Sequence, residues 1–97
     1  MNTAMNSPKE WEENSTLYDT EGDRSFWLWK KHGMFFFWTK LGDAPARLTP
    51  AYTEDKHNEK EVFKFFKEYM RVADADGDLA AYHFCEKYNF AGISQML

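Results

Sequence analysis

Seven aromatic side chains fall between Phe26 and Trp38, on either side of His32-Gly33, and this arrangement constrains the fold more than anything else in the chain. Segments 25–31 and 34–40 are rich in strand-forming residues, and a two-residue link with Gly in second place suits a tight antiparallel hairpin. Pairing Lys31 with Met34 sets Trp29 opposite Phe36 and Trp27 opposite Trp38 on one face. The other face then carries Phe26, Leu28, Lys30, Phe35 and Phe37. Each aromatic ring buries roughly 150–250 Å² when packed, so neither face is comfortable in water. The hairpin is therefore either sandwiched or leaves one aromatic face for a partner.

Helical signals surround it. Ser7-Pro8-Lys9-Glu10 forms a capping box and predicts a short first helix over 8–17, whose apolar content (Trp11, Leu17, Tyr18) requires it to dock on something larger. A third strand is expected over 46–52, confined to an edge because Pro50 lacks the N–H that a ladder needs. Asn58 and Glu61 cap a second helix over 59–73, where Val62, Phe66, Tyr69 and Ala73 recur at helical spacing. Asp78 is expected to cap a third over 79–90, with Ala81, Phe84, Cys85 and Tyr88 on its apolar stripe and Gly92 near its end. The reading is one small α+β domain over 1–97: short N-terminal helix, aromatic β-hairpin or small antiparallel sheet, two C-terminal helices.

Composition removes several classes of function. A 97-residue chain buries only about 60–65% of its unfolded surface, which leaves little room for a deep substrate cleft. No stretch approaches the roughly 18 apolar residues of a membrane helix, and the first residues are polar, so a soluble cytoplasmic protein is expected. Cys85 is the only cysteine, which excludes an internal disulfide and a cysteine zinc cluster. His32, His57 and His83 are far apart, and His83 and Cys85 diverge on a helix. Asp74-Ala75-Asp76-Gly77-Asp78 has alternating carboxylates, but in the calcium-loop frame Gly falls at the fourth position and Cys85 stands where a bidentate Glu is required. Neither a phosphate loop nor a nucleophile motif is present. No catalytic residue, metal or cofactor is expected, and the chain is not read as an enzyme.

Charge is unevenly spread around the net of -4. Residues 1–23 hold six acids and one base, residues 24–71 six acids and ten bases, and residues 72–97 four acids and one base. Two binding surfaces follow. Trp27, Trp29, Phe36 and Trp38 with Lys31 form an aromatic and basic patch of the kind that holds single-stranded nucleic acid by stacking and phosphate attraction. Glu10, Glu12, Glu13, Asp19, Glu21 and Asp23, with Asp74, Asp76 and Asp78, present carboxylates to a partner that grips phosphate with Lys and Arg. In an extended turn the alternate Asp residues would stand roughly 6–7 Å apart.

In its length, its carboxylate clusters over 10–23 and 74–78, its lone cysteine and its lack of catalytic motifs, the chain resembles small phage- and prophage-encoded inhibitors. It is most similar to anti-CRISPR proteins of the DNA-mimic kind, in particular those of type I-F. The resemblance implies binding to a CRISPR-Cas effector complex with a basic DNA-binding surface, in the cytoplasm of an infected bacterial host. It implies blocking of target DNA, without cofactor or turnover. Ten bases between Arg24 and Arg71 depart from a uniformly acidic mimic, so mimicry is expected on one face only.

Overall fold

Period-two alternation along the aromatic hairpin sets the architecture, because both faces of the resulting sheet have to be covered. The computed structural model describes residues 13–87 and 94–95. Its elements run β1 (Thr16–Glu21), β2 (Arg24–Lys31), β3 (Met34–Leu41), β4 (Arg47–Leu48), β5 (Tyr52–Thr53), α1 (Glu59–Asp76), α2 (Asp78–Lys87) and β6 (Ser94–Gln95). The strands form an antiparallel sheet in the order β1-β2-β3-β4-β6, with β5 beside β4 along the same edge of β3. The fold is α+β, as the sequence predicts. None of the described helices is long and apolar enough to cross a membrane.

The β2–β3 hairpin has the predicted register, with Lys31 opposite Met34, Trp29 opposite Phe36 and Trp27 opposite Trp38. His32 and Gly33 both have positive φ, 55° and 74°, as a primed turn requires. One face packs Phe26, Phe35 and Phe37 against Val62, Phe66, Tyr69 and Met70 of α1. Ala81 and Cys85 of α2 complete this core, and Phe84 stacks on Phe65 at 5.2 Å. On the opposite face Trp27 stacks on Trp38 and Trp29 on Phe36, above Leu48 and Ala46. Trp38 is completely buried, and its indole N–H donates to the Ser15 hydroxyl at 3.1 Å.

The structure corrects several boundaries. Residues 8–12 of the expected first helix lie outside the described residues; Glu13 and Asn14 are helical, but Thr16 and Leu17 already belong to β1. The tight Gly22-Asp23 link, with Gly22 at φ 62°, turns this segment into a hairpin with β2. The expected third strand is split into β4 and β5 by residues 49–51. There the Thr49 hydroxyl accepts the Phe37 N–H at 3.0 Å while the Thr49 N–H donates to the Phe37 carbonyl at 2.9 Å. Nor is β4 an edge, since β6 pairs with it. Asn58 caps α1 as predicted, its side chain accepting the Glu61 N–H at 3.1 Å. The helix runs three residues further than predicted, to Asp76, and ends where the Gly77 N–H donates to the Ala73 carbonyl. Positions 88–90 of the expected last helix, Tyr88 among them, and Gly92 lie outside the described residues.

Candidate interaction surface

The sheet and α1 bring distant carboxylates to one end of the molecule. Glu21 pairs with Arg24 across the Gly22-Asp23 turn, and Arg24 is opposite Leu41, so the Gly42-Asp43 turn lies at that same end. α1 starts at the other end, where Lys30 reaches Glu59 at 3.2 Å and Glu54 at 3.3 Å. It finishes beside Arg24, whose Nη2 bonds Asp74 at 2.7 Å. The α1–α2 joint adds Asp76 and Asp78. Asp43 was not among the residues singled out from sequence; its signal is a Gly-Asp pair directly after a strand, the same signal that marks Gly22-Asp23.

The predicted acids fall into three groups. Glu10 and Glu12 lie outside the described residues. Four are engaged internally: Asp19 with Lys67 at 2.9 Å, Glu21 with Arg71 at 3.1 Å and Lys67 at 3.5 Å, Asp74 with Arg24, and Asp78 with both terminal nitrogens of Arg47 at 2.6 and 2.9 Å. Glu13, Asp23 and Asp76 are exposed and have no ion pair among the described residues. The engagement of Asp19 has a local cause. A bulge between Leu17 and Asp19 turns both Tyr18 and Asp19 toward α1, where Tyr18 meets Phe63 at 4.6 Å.

The expected extended turn of alternating aspartates is not found. Asp74 and Asp76 occupy the last turn of α1, and only Gly77, at φ 94°, separates it from α2. Asp78 is the first residue of α2 and not its cap, because Arg47 holds its carboxylate away from the helix N–H groups. Beside the Arg47 guanidinium that carboxyl is held below its ordinary range, as Lys67 does for Asp19.

Asp74 and Asp76 are electrostatically misplaced for folding. A helix C-terminus carries partial negative charge, and each acid there costs about 0.3–1 kcal/mol at an exposed site. No basic residue stands in the last turn of α1 to offset them. Arg24 answers Asp74 from the sheet. Asp76 is left facing solvent.

Between these groups lies a cleft of about 190 Å³, lined by Arg24, Leu41, Pro45, Arg47, Met70 and Asp74 among others. Arg24 is 8% exposed, and its Nη1 donates to the Thr39 hydroxyl at 3.3 Å. Its Nε is buried without an acceptor among the described residues.

The aromatic patch assembles as predicted, with Trp27, Trp29, Phe36 and Trp38 on one face and Lys31 exposed at its hairpin end. Its rings are largely consumed by packing: Trp38 and Phe36 are buried, and Trp27 and Trp29 stack upon them. No cluster of metal-ligating side chains occurs among the described residues. Comparison with protein-family models, curated proteins and solved structures finds no match for this chain.

Proposed function

We propose that this protein is a stoichiometric inhibitor that binds a CRISPR-Cas surveillance complex and blocks its target DNA, offering carboxylates where DNA offers phosphates. The observation that carries the reading is the gathering of Asp23, Asp43, Asp74 and Asp76 at one end, with Asp76 unpaired among the described residues on a helix C-terminus that it destabilises. Acids that cost folding energy and meet solvent are those a partner has reason to require. The partner is a protein with a Lys- and Arg-lined DNA site, met in the cytoplasm of an infected bacterial cell. Binding without turnover needs no cofactor. Long-range attraction between the acidic end and such a site speeds encounter and weakens with salt. The alternative of a single-stranded nucleic-acid module has less support, since stacked and buried rings offer bases few open faces.

The test mixes the purified protein with a purified type I-F surveillance complex and follows target-duplex binding by gel shift. Loss of the shifted duplex at about one inhibitor per complex is expected, with no affinity of the protein alone for oligonucleotides. An undiminished duplex shift sinks the reading, and oligonucleotide binding lost on Trp29→Ala plus Lys31→Glu would favour the nucleic-acid module.

A further inference from the structure

Outward carboxylates alone would make a flat mimic, but the acidic end also has depth. Its cleft, at about 190 Å³, is smaller than the roughly 300–1,000 Å³ of a typical small-molecule site. It suits one long side chain. We propose that the cleft is a socket for an arginine carried on a segment of the protein partner; this rests on reading the acidic end as the partner-binding surface.

Three features of the cleft select that occupant. Asp74 gives one oxygen, Oδ1, to Arg24, and no described group bonds its other oxygen, although the side chain is half exposed. A second guanidinium can bridge there, and its planar fork suits a carboxylate better than the point charge of lysine. The wall is apolar at Leu41, Pro45 and Met70, with Leu41 41% exposed, which accommodates the methylene stem of a long cation. Arg24, nine-tenths buried and bonded to both Asp74 and Thr39, holds the Asp74 carboxylate fixed in the cleft wall, so a second guanidinium meets a preorganised acceptor. Asp78 stays fixed by Arg47 as the rim, and the unpaired Asp23, Asp43 and Asp76 around it favour a basic segment and repel nucleic acid.

The experiment titrates the isotopically labelled full chain with blocked Gly-Arg-Gly, Gly-Lys-Gly and Gly-Ala-Gly peptides and follows amide and guanidinium N–H signals by NMR. Expected are saturable shifts confined to Leu41, Ala44, Arg47, positions 73–78 and the Arg24 Nε–H. They should be tightest with arginine, weaker with lysine and absent with alanine. Ala44→Trp fills the cleft from an exposed turn while keeping every charge, and should abolish the shifts, as should Asp74→Asn. Shifts that fail to saturate, that spread evenly to acids elsewhere such as Glu61 and Glu86, or that persist in a folded Ala44→Trp overturn the socket. If Ala44→Trp still blocks duplex binding by the surveillance complex, the socket is wrong and the inhibitor reading stands. If the arginine peptide occupies the cleft while the wild-type protein leaves the complex active, the inhibitor reading falls and the socket stands.

Discussion

Asp78 and Asp19 are surface carboxylates, yet each is held below the ordinary value of 3.8 by a basic side chain from another element. The sign of the linkage follows from that direction. A carboxyl with a lowered folded value contributes stability that is fully present above its unfolded value and is lost as pH falls through the folded one. Asp19→Asn combined with Asp78→Asn should therefore melt lower than wild type at neutral pH, and the gap should close on acidification below 3.8. Thermal melts across that range measure it; a gap independent of pH would exclude the ion pairs as its source. Exposed pairs of this kind are weakened by solvent screening, so the loss is modest. Trp38, completely buried, is of another order: Trp38→Ala should cost about 3–5 kcal/mol in denaturant titration.

The β2–β3 hairpin is held by its turn. His32 occupies a left-handed conformation at φ 55°, which costs a non-glycine residue about 1–2 kcal/mol and Asn much less. His32→Asn should stabilise the protein by about 0.5–1 kcal/mol, read as a higher denaturation midpoint at unchanged slope. This element was legible in sequence down to its register because a period-two pattern flanked a two-residue turn. β1 was not, because the capping box upstream pointed to a helix through Thr16 and Leu17, whereas the Gly22-Asp23 turn that makes the segment a strand shows only in its pairing with β2. β4 and β5 read as one strand since Pro50 marks an interruption but not that the Thr49 hydroxyl would fill the gap in the ladder. The acids of the candidate surface were visible as charges, while their pairing with Lys67, Arg24 and Arg47 depends on contacts across the fold that no local pattern encodes.

Across the whole molecule Asp23, Asp43, Asp74 and Asp76 gather at the end away from the β2–β3 turn, while Lys30 at the turn end is answered by Glu54 and Glu59. Stability and binding should then move in opposite directions. Asp76→Lys replaces an acid at a helix C-terminus with a base and should raise stability by about 0.3–1 kcal/mol. In combination with Asp23→Lys and Asp43→Lys it should abolish capture of the surveillance complex while the melting curve holds or improves. Retention of full inhibition by that folded triple variant would dismiss charge mimicry. The bulge in β1 has a bearing on solubility as well. Among the described residues β1 has only β2 beside it, and an extra residue in that strand breaks the even row of amides and carbonyls along the outer side. Another chain cannot easily lengthen the sheet there. Removing the irregularity by deleting Tyr18 or Asp19 would straighten that border into a template, and fibrous self-association at high concentration is the expected result.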